Sequence, residues 1–172
     1  TSNGNTVGGA VAGAGNLISG NDSYGIHVES ASNTIAGNYI GTNQSGTATI
    51  GNTVAGVNLT GGASLNTIGG LTASERNVIS GNNDDGIKIE ATAGTGNSII
   101  GNYVGLNYLG TAALGNLGSG IDVQANGNTV GGTTAAVRNV VAANTFQGIV
   151  VSGNNNTIQG NYVGTNAAGN PL

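Results

Sequence analysis

The sequence predicts an all-β chain, a right-handed parallel β-helix with three short strands and about 31 residues in each coil, wound through roughly five to six coils in its 172 residues. Three observations lead there. First, short runs recur at a fixed interval: GIHVE (Gly25), GVNLT (Gly56), GIKIE (Gly86), GIDVQ (Gly120) and GIVVS (Gly148) are separated by steps of 31, 30, 34 and 28. NTI-type runs at Asn5, Asn33, Asn66, Asn97, Asn128 and Asn156 keep a similar step. Second, within each run aliphatic and polar residues alternate, as in a strand with one buried face. Third, Gly and Asn bound every run, and no segment has helical periodicity. With 34 glycines and β-branched residues filling the apolar positions, helices are disfavoured, and a solenoid with one strand and one helix per unit fails for the same reason.

Residues 66–90, NTIGGLTASERNVISGNNDDGIKIE, hold one complete unit, and the rest of the chain varies it. Residues 1–9 open in mid-unit, with Thr1 aligned to Gln124 at the far end of a GI-type strand. Residues 16–29 supply NLIS and GIHVE with a turn at DSY between them. Residues 33–52 carry a long connection, AGNYIGTNQSGTA, echoed as IGNYVGLNYLGTA from Ile100 and QGNYVGTNAAG from Gln159. Its closing TATIGN is expected to take the place of NLISGN. The inward columns expected from this alignment are Val7, Ile35, Ile68, Ile99, Val130 and Ile158; then Ile18, Ile50, Ile79, Leu114 and Val141; and two from the GI-type runs, Ile26, Val57, Ile87, Ile121, Ile149 and Val28, Leu59, Ile89, Val123, Val151.

Asn21, Asn52, Asn82, Asn116 and Asn144 share one turn position. An amide there is expected to accept left-handed backbone and to bond to its equivalent on the next coil, about 4.8 Å away. A second asparagine column opens the NTI runs. One unit buries too few aliphatics to fold alone, so neighbouring coils must template one another. Residues 1–172 read as a single repeat domain, and neither end carries a polar cap. The expectation is a segment of a longer array, or a subunit that stacks end to end with itself.

Composition narrows the function classes. Seven acidic and three basic residues give a net charge of -4, too few cations for nucleic acid or an anionic membrane surface. No apolar run approaches a membrane span, and the absence of cysteine excludes disulfide and thiolate chemistry.

NTIGG, RNVISGN, GIKIE and GNYIGTN together resemble the parallel β-helix repeat proteins found in large bacterial secreted and surface proteins. The similarity runs over essentially the whole chain. It implies the β-helix fold and an extracellular or cell-surface location. Its members include adhesin-like proteins, spacers and carbohydrate-active enzymes, so it does not imply an activity.

Enzymes of this fold commonly act on acidic polysaccharides through Asp, Lys, Arg or His on an exposed sheet face, often with calcium. Asp84 and Asp85 in NNDDGIKI resemble the acid–base pair of polygalacturonases, but the accompanying NTDG, GHG and RIK motifs are missing. Tyr24, Gly25 and His27 match part of the YG-x-DPH motif of mannuronan epimerases without its DP. The geometric candidate is the outer face of the GI-type strands, carrying His27, Glu29, Lys88, Glu90 and Asp122. Glu29 and Glu90 would lie about 9.6 Å apart across two coils, near the separation in inverting glycosidases. Lys88 is expected either to pair weakly with Asp122 or Glu90 or to bind an acidic sugar.

No calcium-binding nonapeptide and no metal-ligand spacing is present, leaving weak calcium binding at Asp84 and Asp85 as the metal expectation. A hydroxyl column, Thr6, Thr34, Thr67, Ser98, Thr129 and Thr157, lacks the second column an ice-binding lattice needs. Tyr39, Tyr103 and Tyr162 are expected to shield the long connections or to stack on sugar rings. Arg76 and Arg138 are expected to fix turns by donating to nearby carbonyls, with Gly15 at the equivalent position. The reading that emerges is a non-catalytic structural or adhesive segment of an extracellular protein. The alternative is a polysaccharide-binding or polysaccharide-degrading domain of lyase, hydrolase or epimerase type, with Glu29, Glu90, Asp84 and Asp85 as the catalytic candidates.

Overall fold

A computed structural model describes residues 3–172 of the chain, so the expectation placed on Thr1 lies outside the described residues. Three parallel sheets run the length of a β-solenoid. The first, the NTI sheet, contains Thr6–Gly8, Thr34–Ala36, Thr67–Gly69, Ser98–Ile100, Thr129–Gly131 and Thr157–Gln159. The second, the tyrosine sheet, contains Leu17–Ile18, Tyr39–Ile40, Val78–Ile79, Tyr103–Val104, Val140–Val141 and Tyr162–Val163. The third, the GI sheet, contains Ile26–Val28, Val57–Leu59, Ile87–Ile89, Ile121–Val123 and Ile149–Val151. A single 3-10 turn, Ala135–Val137, is the only helical element among the described residues.

Register follows the repeat. Val7 faces Ile35, then Ile68, Ile99, Val130 and Ile158 follow in the NTI sheet. Ile26, Val57, Ile87, Ile121 and Ile149 align in the GI sheet. Between the sheets lies one continuous aliphatic axis, in which Ile35, Ile68, Ile87, Ile89, Ile99, Ile121 and Val130 are fully buried. Each strand contributes only one or two inward side chains. Burial of about 2 kcal/mol per aliphatic therefore stabilises the solenoid through the stack, not through any coil by itself.

The tyrosine sheet corrects the sequence alignment. Its inward column is Ile18, Ile40, Ile79, Val104, Val141 and Val163, with Ile40 and Val104 where Ile50 and Leu114 were expected. Ile40 is fully buried, whereas Ile50 is 47% exposed. The GNYIG and GNYVG runs are the strands, and the residues after them leave the solenoid as short hairpins. Antiparallel bridges Thr42 to Thr49, Leu106 to Ala113 and Thr165 to Pro171 close these hairpins. Asn43 Oδ1 accepts from the amides of Thr47 and Ala48, and Asn107 Oδ1 accepts likewise from Thr111 and Ala112. TATIGN resembles NLISGN because both approach the same turn asparagine. Only NYI supplies both the outward tyrosine and the inward isoleucine that a two-residue strand needs.

Asparagine ladders occupy all three corners. Asn21, Asn52, Asn82, Asn116 and Asn144 form the expected one: each side-chain amide donates to the next Oδ1 over 2.7–2.9 Å. Asn5, Asn33, Asn66, Asn97 and Asn128 form the second in the same way as far as Asn97, after which the Asn128 backbone amide donates to Asn156 Oδ1. The third, Asn16, Asn38, Asn77, Asn102, Asn139 and Asn161, was not anticipated. Left-handed backbone, expected at the asparagines themselves, falls one residue earlier. Ser32, Leu65, Ala143 and Asn155 have φ of 59°, 57°, 61° and 57°, and Gly37, Gly81 and Gly101 lie at 72°, 76° and 71°. The chain reverses on that residue, which leaves the asparagine amide aimed along the solenoid axis. Gly69 illustrates a further demand: its φ is 97°, and a Cβ there would collide with the Ile100 carbonyl of the next coil.

Candidate functional site

Eight of the eleven charged or histidine side chains stand on the outer face of the GI sheet or in the turns leading into it: Asp22, His27, Glu29, Asp84, Asp85, Lys88, Glu90 and Asp122. Strand alternation puts His27, Asn58, Lys88, Asp122 and Val150 in one outward column. Glu29, Thr60, Glu90 and Gln124, each just past its strand, continue the outward face.

A hydrogen-bonded network joins the first three coils of this face. The His27 ring stacks on Tyr24 with centroids 5.0 Å apart. Its Nε2 lies 3.4 Å from Glu29 Oε1, and its Nδ1 lies 3.2 Å from Asn58 Nδ2. Asn58 Nδ2 also donates to Glu90 Oε1 at 3.1 Å, and the Thr60 hydroxyl donates to Glu90 Oε2 at 2.9 Å. Both Glu90 oxygens are therefore occupied, and Glu29 turns to His27. The two glutamates expected to act as a hydrolytic pair are separated by Thr60 and Asn58, with each carboxylate held by its own partners. Asn58 is fully buried between its neighbours, and its Oδ1 has no hydrogen-bond partner.

Lys88 departs from expectation. It pairs with Asp85 at 3.7 Å, three residues before it in its own turn, and not with Asp122 or Glu90. Asp122 instead accepts from Gln124 Nε2 at 2.7 Å. The aspartate pair in the turn divides its roles. Asp85 Oδ1 accepts the Ser119 amide at 2.7 Å, which ties this turn to the next coil. Burial raises the Asp85 pKa, and the neighbouring Asp84 and Asp122 charges push it the same way, against the Ser119 bond and Lys88. Asp84 meets the next coil through its backbone carbonyl, which accepts the Gly118 amide. No cluster of three or more His, Cys, Asp or Glu side chains suited to a metal occurs among the described residues.

The tyrosine sheet carries the second set of polar features. Arg76 Nε donates to the Gly101 carbonyl at 3.2 Å, and its guanidinium lies 4.1 Å from the centre of the Tyr103 ring. Arg138 repeats this with the Gly160 carbonyl at 2.9 Å and Tyr162 at 3.9 Å. Both arginines are turn-fixing donors, as expected, and both also cover a tyrosine. Tyr103 packs against Gly110 and Tyr162 against Gly169, the glycines of the hairpins beside them. The tyrosines thus shield the connections, and two of the three are covered by a cation. In the loop before Arg76, Glu75 Oε2 accepts from the Thr72 hydroxyl and the Leu71 and Thr72 amides, and its pKa is lowered chiefly by the Thr72 bonds.

Sequence reasoning placed His27, Lys88 and Asp122 outward, as the register has them, and met Tyr24 in a partial motif, but it did not foresee that Tyr24 stacks on His27 or that Asn58 joins His27 to Glu90. The signal for both was their register: Asn58 lies directly between His27 and Lys88, and Tyr24 lies three residues before His27. The missed third ladder had a signal too, an asparagine immediately before each strand of the tyrosine sheet. Comparison with family models, curated proteins and solved structures finds no match for this chain.

Proposed function

We propose that the chain is a non-catalytic structural or adhesive β-helical segment of an extracellular protein. The observation that carries this reading is the commitment of Glu90: both carboxylate oxygens are bonded by Thr60 and Asn58, and Glu29, the only other glutamate of the face, pairs with His27. A general acid or base must reach a substrate proton within hydrogen-bond distance, and both Glu90 oxygens already hold donors of the protein itself. Ladders and aliphatic columns repeat from coil to coil, whereas the outer face of the GI sheet changes residue by residue. The extracellular location follows from the resemblance of the repeats. No described helix is long and apolar enough to cross a membrane.

The partner this architecture fits best is a second copy of the chain, stacked coil on coil. Val151, Ile158 and Val163 are in register with fully buried Val123, Val130 and Val141, yet are 43%, 37% and 49% exposed. Sedimentation over a wide concentration range tests stacking between copies. Association that grows with concentration is expected, and a strictly monomeric species counts against it.

A polysaccharide-binding or polysaccharide-degrading role is the second reading, favoured by the concentration of charge and of one stacked aromatic, Tyr24, on the GI face. A reducing-end assay with acidic polysaccharides separates the two. The structural reading expects no release of oligomers. Release that is abolished by Glu90→Gln would reject it.

A further inference from the structure

The three outward tyrosines occupy equivalent positions, but the loops that serve them differ. Residues 70–76, GLTASER, and 132–138, GTTAAVR, end in the arginines that cover Tyr103 and Tyr162. Residues 9–15, GAVAGAG, are the same length and end in Gly15, so Tyr39 receives no cation from its own loop. The loop also takes a different path: Gly9 and Gly13 have φ of 139° and 83°, values found at no residue of the other two loops.

Two open spaces flank Tyr39, which lines both. One, of about 390 Å³, lies against Ala12, Gly15, Leu17 and Gln44. The other, of about 340 Å³, lies against Ser74, Arg76 and Tyr108, and Gly37 borders both. Gly37 stands two residues before Tyr39, as Gly101 and Gly160 stand before Tyr103 and Tyr162. The Gly101 and Gly160 carbonyls each accept an arginine Nε–H, whereas the Gly37 carbonyl accepts no hydrogen bond from the described residues and lies where a Cβ on Gly15 would meet it.

We infer that Tyr39 and the Gly37 carbonyl form a vacant seat for a guanidinium group, supplied by an arginine side chain of a partner chain. The protein itself specifies the ligand chemistry, because twice in the same fold the same aromatic face and glycine carbonyl hold an arginine. A planar guanidinium satisfies both at once, stacking on the ring while an edge N–H reaches the carbonyl; a compact ammonium meets only one of them well. The net charge of -4 favours a cationic partner over an anionic one. The inference is independent of the structural reading above, since a scaffold and an enzyme would carry this seat equally well.

With five tyrosines and no tryptophan, ring resonances of ¹³C-tyrosine-labelled protein report the site, and Tyr39→Leu assigns the Tyr39 signals. N-acetylarginine amide is expected to shift the Tyr39 resonances saturably and to leave those of Tyr103 in place. The neutral isostere N-acetylcitrulline amide is expected to bind at least about fivefold more weakly, the size of one cation–aromatic contact. Grafting the arginine-bearing loop through Ala10→Leu, Val11→Thr, Gly13→Ser, Ala14→Glu and Gly15→Arg is expected to abolish the response. An unmoved Tyr39, an equal response to the citrulline compound, or an equal or larger response to a methyl glycoside would each overturn the inference. The titration of the unmodified chain decides the matter even if the graft does not fold.

Discussion

Asn77 and Asn58 are both fully buried asparagines in the middle coils, and their surroundings are opposite. Asn77 stands in a corner ladder. Its side-chain amide donates to Ile35 O at 2.8 Å and Asn102 Oδ1 at 2.9 Å, and its Oδ1 accepts the backbone and side-chain amides of Asn38. Asn58 stands on the outer face of the GI sheet. Its Nδ2 is divided between His27 and Glu90, and its Oδ1 is left without a donor. The corner satisfies an asparagine completely because the coil on either side presents the same group at the same height. The outer face has no such neighbour, since its column reads His27, Asn58, Lys88, Asp122, Val150, and every contact is made once. Stability is thus organised by repetition, while chemical individuality is confined to the surface.

The comparison breaks first at the ladder. Asn77→Ala takes the acceptor from the Asn38 backbone amide and the side-chain donor from the Ile35 carbonyl in a dry interior, at about 1–3 kcal/mol for each unsatisfied group. A loss of about 4 kcal/mol is expected in denaturant unfolding, and a loss below about 1 kcal/mol would mean that the ladder tolerates gaps. The core column comes next: Ile79→Ala should cost about 3 kcal/mol, whereas Ile50→Ala, on the hairpin, should cost under about 1 kcal/mol. Equal costs for the two would restore the alignment in which Ile50 lies on the axis.

Smaller effects sharpen the contrast at the surface. Arg76→Ala removes one hydrogen bond and one ring contact, and about 1 kcal/mol is expected, with the Tyr103 ring becoming more accessible to iodination. The smallest change is expected at Asp85. Its folded-state pKa is raised above the ordinary aspartate value, chiefly by burial, so the folded chain holds the proton more tightly than the unfolded chain. Its contribution therefore becomes unfavourable as pH rises through the window above 3.8, and remains so at neutral pH. Asp85→Asn keeps an acceptor for the Ser119 amide and removes that dependence. Thermal melts should show the variant matching the parent in acid and slightly exceeding it at neutral pH; a variant less stable at neutral pH would give the carboxylate a favourable role.

Much of this was legible in the chain because a solenoid converts sequence period directly into contact. Val7, Ile35 and Ile68 stack since they occupy the same place in successive units, and the same holds for Asn21, Asn52 and Asn82. The reading failed where the period was interrupted. Steps of 22, 39, 25, 37 and 22 along the Asn16 to Asn161 ladder conceal a regular stack behind inserted hairpins. The candidate face shows the same limit: register placed His27, Lys88, Glu90 and Asp122 together, but which of them bond was not encoded in spacing.

Sequence alone determined the parallel winding, three of the four inward aliphatic columns and two of the three asparagine ladders. Each is an interaction between like residues one coil apart, and periodic placement is sufficient to specify it. Only the tertiary structure decided that the hairpins leave the solenoid after Tyr39 and Tyr103, that Lys88 pairs with Asp85, and that Tyr39 lacks the arginine its counterparts have. Those outcomes depend on side-chain reach and on the path of irregular loops, where unlike groups meet at distances that no repeat length prescribes.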